Sequence, residues 1–145
     1  MEIGKLHVIL VHFPIALALS AVLADFLLAV THKDYFRICG MYCLVLAAIA
    51  IIPTAFTGDQ LLDMEKSQLS PDYLSIAYTH RDLAVTSLVL VLTAAAIRIF
   101  RKNHLKKWWL AAYTILIILI FGFISATGHF GGMLSHGKNY LSGMF

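Results

Sequence analysis

Residues Leu6–Val30 read LHVILVHFPIALALSAVLADFLLAV. Within this stretch Asp25 is the sole acidic or basic side chain apart from two histidines. As an α-helix the stretch would extend roughly 37 Å at about 1.5 Å per residue, enough to cross a hydrocarbon core of about 30 Å. It is also longer than the apolar core of a signal peptide, which holds about 7–15 residues. We therefore interpret it as a retained membrane-spanning helix.

Three further apolar blocks follow, at Ile38–Thr57, Leu83–Phe100 and Trp108–Phe130. The whole chain of 145 residues is 60% hydrophobic and 13% charged, with a mean hydropathy of +0.82. The blocks are apolar on all sides, whereas the helices of a soluble bundle need a polar outer face. The sequence predicts an all-α integral membrane four-helix bundle with both termini on the same side. We expect one domain over residues 1–145, with helices at about 6–31, 37–57, 71–101 and 107–131 and no evident internal repeat.

Helix ends are marked by local signals. Ser70-Pro71-Asp72 is typical of a helix start, with serine as N-cap, proline at the first helical position and an acidic residue in the first turn. Asp59–Lys66 mixes charges with apolar residues, which suggests a short interfacial helix or an ordered loop. Gly131-Gly132 indicates that the fourth helix ends before His136.

The distribution of lysine and arginine indicates how the chain crosses the membrane. Seven of the eleven lie between helices one and two or in the segment Arg98–Lys107. The positive-inside rule then places these loops in the cytoplasm and both termini outside. Trp108, Trp109 and Tyr113 fit an aromatic belt at the inner interface. The expected location is the bacterial inner (plasma) membrane, as a multi-pass protein with its termini outside.

Several functional classes are disfavoured. A net charge of +3 is too small to indicate nucleic acid binding. No nucleophile-base triad, phosphate loop or zinc-protease motif occurs, which removes hydrolase and kinase interpretations. Cys39 and Cys43 lie on one face of the second helix and are best explained as packing residues.

Histidines are the most informative polar residues. If the helices alternate in direction, five of the seven converge at one outer face of the membrane: His7, His12, His80, His129 and His136. Ionisable residues near the apolar region are costly and tend to face the bundle interior, and histidine is the commonest metal ligand. His7 and His12 differ by about 140° around a regular helix, so they cannot both bind one ion.

This pattern suits haem better than a compact zinc centre. Tetrahedral zinc needs three or four ligands around one point, whereas haem needs one or two imidazoles and a slot of small residues. Ala16, Ser87, Ser125 and Gly128 could line such a slot. No Cys-x-x-Cys-His motif occurs, so the haem would be b-type.

Two other polar features are candidates. Asp25, in the inner third of the first helix, could relay protons, although a carboxylate hydrogen-bonded between helices is the more ordinary interpretation. Asp59 and Arg81 flank the histidine face, where they could form an ion pair without catalytic meaning.

The chain resembles a family of predicted bacterial four-helix membrane proteins catalogued as domain of unknown function 2231. The matching pieces span nearly the whole chain: Leu6-His7, Val11-His12-Phe13-Pro14, Thr57-Gly58-Asp59, His80, Gly131-Gly132-Met133-Leu134 and His136-Gly137. The resemblance implies the fold and topology, with His7, His12, His80 and His136 as recurring polar features. His129 departs from the family pattern and ranks below these four.

The leading functional hypothesis is a b-type haem protein that transfers electrons or senses redox state, rather than an enzyme acting on a substrate. His12 and His80 are the expected axial ligands, with His7 and His136 as a second pair. One alternative is a copper or zinc site at the same histidines. Another is a non-catalytic partner subunit whose histidines respond to pH. The expected partners are the lipid bilayer, a redox protein and, as a further candidate, a second copy of the chain.

Overall fold

The structure is a computed structural model that describes residues 3–101 and 107–137, with side chains described for residues 6–100 and 111–137. It contains four long helices: α1 (Ile3–Thr31), α2 (Asp34–Glu65), α3 (Pro71–Arg101) and α4 (Lys107–His136). Each is long and apolar enough to cross a membrane. The described part of the chain contains no strand. The predicted all-α membrane four-helix bundle is confirmed.

The helices alternate in direction and form a ring in chain order. α1 packs chiefly on α2, and α3 on α4, while α2–α3 and α1–α4 contacts close the ring. The link between α1 and α2 is short because His32 adopts a left-handed conformation (φ 55°) and donates its N–H to the carbonyl of Leu28. A single left-handed residue is a common helix terminator. α3 begins at Pro71, as its N-terminal signal predicts.

The core of the bundle is built from small side chains with a few larger ones between them. It includes Ala18, Ala21, Ala47, Ala94, Leu44, Val91 and Ile120, each almost fully buried. Large apolar side chains point outward instead; Ile9, Phe13 and Phe26 are more than half exposed. Alanines let helices approach closely, and packing rather than hydrophobicity drives helix association in lipid. The distribution is therefore that of a bundle surrounded by hydrocarbon.

Two predicted helix ends are wrong. α2 continues beyond residue 57 to Glu65, so the segment after Gly58 is neither a separate interfacial helix nor a loop. α4 passes through Gly131-Gly132 and continues to His136. The helix is terminated by Gly137, which has φ 94° and donates its N–H to the carbonyl of Met133. Gly58 inside α2 and Gly131 inside α4 each lie against a histidine of another helix, as described below.

The predicted inner aromatic belt is only partly described. The side chains of Trp108 and Trp109, and residues 102–106 of the basic segment with His104, lie outside the described residues. Tyr113 does not belong to a belt, because it is buried and hydrogen-bonded inside the bundle.

Candidate functional site

His7 is held against the outer part of α2. Its Nδ1 lies 3.1 Å from the carbonyl oxygen of Thr54 and 3.3 Å from the hydroxyl of Thr57. Since a carbonyl only accepts, Nδ1 carries the proton and Nε2 carries the lone pair. The ring packs on Gly58, where an added Cβ would lie 2.7 Å from the Cε1 atom of His7. The imidazole is thus fixed in position and in tautomer.

His80 makes the same arrangement between α3 and α4. Its Nδ1 donates to the carbonyl oxygen of Thr127 at 2.9 Å. The ring packs on Gly131, where an added Cβ would lie 3.1 Å from the Cε1 atom of His80. His80 therefore also presents Nε2 as its acceptor atom.

The spacing Thr-x-x-x-Gly explains how a helix can receive such a histidine. In an α-helix the carbonyl of residue i accepts the N–H of residue i+4, which uses one of its two lone pairs. The side chain of residue i+4 stands beside that carbonyl, so glycine there leaves the second lone pair accessible. Thr54 with Gly58 and Thr127 with Gly131 both have this spacing. The threonine hydroxyls bond within their own helices, to Ala50 and Phe123.

The other three histidines of this end have different surroundings. His12 is exposed, and its Nδ1 donates to the carbonyl of Val8 on its own helix at 2.7 Å. His129 is exposed and lies edge-on to Phe130, with ring centroids 5.6 Å apart. His136 is exposed at the last residue of α4. The expected pairing of His12 with His80 stays a prediction; His7 and His80 each bond a carbonyl of another helix, whereas His12 bonds one of its own helix.

His7 and His80 lie at the same end of the bundle. They lie on α1 and α3, respectively. Within residues 3–101 and 107–137, no three histidine, cysteine, aspartate or glutamate side chains converge as a metal-ion site. Ligation of a metal ion by the described residues would therefore rest on at most two of these side chains.

The expected slot of small residues is wrong in most of its members. Ala16, Ser125 and Gly128 are exposed on the outside of the bundle, and an added Cβ at Gly128 would contact nothing within 4 Å. Ser87 is buried and lies two turns after His80 on α3, with its hydroxyl 3.4 Å from that of Thr127. Small residues occur on both the inner and the outer faces of these helices, so residue size alone did not reveal which of them face inward.

The predicted ion pair between Asp59 and Arg81 is confirmed. The Nε of Arg81 donates to Asp59 at 2.6 Å and joins α2 to α3 beside the histidines. Both side chains are about half exposed. The pair is a surface contact between helices.

A second polar cluster lies at the opposite end of the bundle and was not assembled by sequence reasoning. Asp25 of α1 forms an ion pair with Arg98 of α3, and the hydroxyl of Tyr113 on α4 donates to Asp25 at 2.9 Å. The side chains of Asp25 and Arg98 are only 13% and 10% exposed. Gly40 of α2 closes the cluster, since a Cβ there would lie 3.0 Å from Arg98 and 3.1 Å from Asp25. Asp25 is thus a carboxylate bonded between helices.

A family model described as "Predicted membrane protein (DUF2231)" matches residues 5–139. No curated protein and no solved structure matches the chain. The chain belongs to the DUF2231 family of predicted membrane proteins, as its histidine and glycine motifs suggested.

Proposed function

We propose that this DUF2231 protein binds one b-type haem between His7 and His80 and uses it to transfer electrons or sense redox state. The observation that carries the proposal is the shared geometry of the two imidazoles. Each comes from a different helix, and each has its Nδ1–H fixed on a backbone carbonyl. Histidine ligands of metals usually donate their other ring N–H in this way, which orients the ring and raises the basicity of the ligating nitrogen.

The number of available ligands favours haem over a protein-built zinc or copper centre. A haem iron already has four ligands from its macrocycle and takes one or two from the protein. Tetrahedral zinc sites use four protein ligands, or three protein ligands and a water molecule. Two imidazoles satisfy the first requirement and fall short of the second. The protein would supply the axial ligands, their orientation and the surrounding apolar medium, while the redox chemistry belongs to the cofactor.

In this proposal the end of the bundle that carries His7 and His80, the histidine end, faces out of the cytoplasm. Lys33 and Arg37 lie at the opposite end, near the start of α2, and the positive-inside rule places that end in the cytoplasm. A redox partner would then meet the protein from outside the cytoplasmic membrane. The basic segment before α4 supports the same orientation.

The test is an absorption spectrum of full-length protein, expressed with ample haem and purified in detergent. We expect a Soret band that shifts on reduction in the wild type and is lost in His7→Ala and His80→Ala. His12→Ala is the matched control, because His12 lies on the same helix as His7 and bonds a carbonyl in the same way, but on its own helix. A wild type without a Soret band, or with stoichiometric copper or zinc by metal analysis, would refute the haem proposal.

A further inference from the structure

The contacts that His7 makes with α2 and His80 makes with α4 involve residues at a constant spacing along the chain. His80, Thr127 and Gly131 lie 73 positions after His7, Thr54 and Gly58, respectively. Both histidines therefore reach a carbonyl 47 positions further on. Each then packs on a glycine one turn after that carbonyl. Two equal sets of three residues, bonded in the same way, indicate that α1–α2 and α3–α4 are equivalent units.

The same spacing relates many buried positions of the core, although Ala48 is buried and its equivalent Phe121 is exposed. α4 begins 73 residues after α2. Pairs at this spacing are buried in both halves even where the residue type differs: Ala18 with Val91, Ala21 with Ala94, Leu44 with Ile117, and Ala47 with Ile120. Pro14 and Ser87, also 73 apart, are both buried. The equivalence thus extends from the outer end to the middle of the bundle.

At the inner end the equivalent residues contact each other. Asp25 and Arg98 are separated by 73 positions and form the buried ion pair. Gly40 and Tyr113, also 73 apart, both border that pair, from α2 and α4. In a two-fold interface residue i contacts residue j and j contacts i, so only a residue on the axis contacts its own equivalent. The pair therefore lies where a two-fold axis between the halves would pass.

We propose that the α1–α2 and α3–α4 hairpins are two copies of one unit, in which each residue of the first corresponds to the residue 73 positions later in the second, that a two-fold axis along the membrane normal relates them, and that Asp25 and Arg98 determine how they pair. α1 and α3 run in the same direction, as in parallel repeats of membrane transporters. If both halves carried the same residue here, two carboxylates or two guanidiniums would meet in a medium of low dielectric constant and repel each other. Because the charges at these equivalent positions are opposite, pairing of one hairpin with the other brings unlike charges together. Pairing of two identical hairpins would bring like charges together.

This inference is independent of any cofactor, since it rests on spacing and contacts alone. Its test uses the full chain and exchanges the equivalent residues across the axis. Asp25→Arg and Arg98→Asp each place like charges together. We expect each to lower the midpoint of thermal unfolding in detergent by roughly 10 °C, because a broken buried ion pair leaves an uncompensated charge.

The double exchange Asp25→Arg with Arg98→Asp restores opposite charges but leaves Tyr113 beside the wrong partner. Adding Gly40→Tyr and Tyr113→Gly reproduces the whole cluster with the two halves interchanged. We expect the double variant to recover part of the lost midpoint and the fourfold variant to unfold within a few degrees of the wild type. If the single variants do not accumulate, the comparison of wild type, double and fourfold variants still decides. A fourfold variant no more stable than the double would overturn the two-fold relation.

Discussion

Replacing Gly58 by alanine tests the contact that fixes His7. The new Cβ would lie 2.7 Å from the Cε1 of the imidazole, so the ring must turn away from α2. This movement breaks the hydrogen bond to Thr54, worth about 1 kcal/mol, and overpacks the site at a cost of about 1–3 kcal/mol. Alanine returns about 1 kcal/mol through its helix propensity. We expect a net loss of about 2 kcal/mol, or roughly 6 °C in Tm for a chain of this size.

Other glycines of the same bundle supply the controls. At Gly131 the added Cβ would lie 3.1 Å from the ring of His80, so a small shift suffices and the loss in Gly131→Ala should be at most about 1 kcal/mol. At Gly128 the Cβ would meet nothing within 4 Å, so Gly128→Ala should be neutral or stabilising by up to about 1 kcal/mol. Thermal unfolding in detergent, followed by circular dichroism, measures all three variants.

A double-mutant cycle isolates the contact. In a His7→Ala background the ring is absent, so Gly58→Ala should become neutral or stabilising. The explanation of the Thr-x-x-x-Gly spacing fails if Gly58→Ala is as stable as Gly128→Ala, or if it destabilises equally in both backgrounds.

Three further outcomes are expected. Arg81→Gln should change the free energy of unfolding by less than about 1 kcal/mol, because the ion pair with Asp59 is half exposed; a loss of several kcal/mol would contradict this assignment. In Cys39→Ser/Cys43→Ser protein, Ser67→Cys should react with a membrane-impermeant thiol reagent added outside intact spheroplasts, and Lys33→Cys should not; the reverse pattern would invert the orientation. Ser87→Ala should leave the Soret band of a haem-loaded protein in place, because the hydroxyl of Ser87 bonds the carbonyl of Leu83 on its own helix, and loss of the band would show that Ser87 contributes to the site.

The sequence predicted the four helices because lipid imposes a strong and simple requirement on length and apolarity. It also predicted that five histidines share one end, since this follows from alternating helix direction. The start of α3 could also be predicted, because Ser70-Pro71-Asp72 favours a helix start through its effect on the local backbone. These features depend on residue type and order alone.

The contacts between helices could not be predicted from the sequence in the same way. The second helix was expected to end at residue 57 and Gly131-Gly132 indicated another helix end, yet Gly58 and Gly131 lie inside α2 and α4, where the missing side chain leaves room for a histidine ring. A histidine followed 47 positions later by Thr-x-x-x-Gly, found twice, was the available signal. Most other equivalent positions preserve burial but not identity, as with Ala47 and Ile120, and Asp25 and Arg98 have opposite charge. The repeat is therefore evident from the packing of the helices and much less so from the residue types.

The haem content per chain tests the central claim most directly. Full-length protein, purified after expression with ample haem, is assayed for haem by its pyridine complex and for protein by amino-acid analysis. One site between His7 and His80 predicts a ratio that saturates at one, and a ratio near zero for His7→Ala and for His80→Ala. A wild-type ratio near zero or near two, or a ratio of one retained in either variant, would contradict the single two-histidine site.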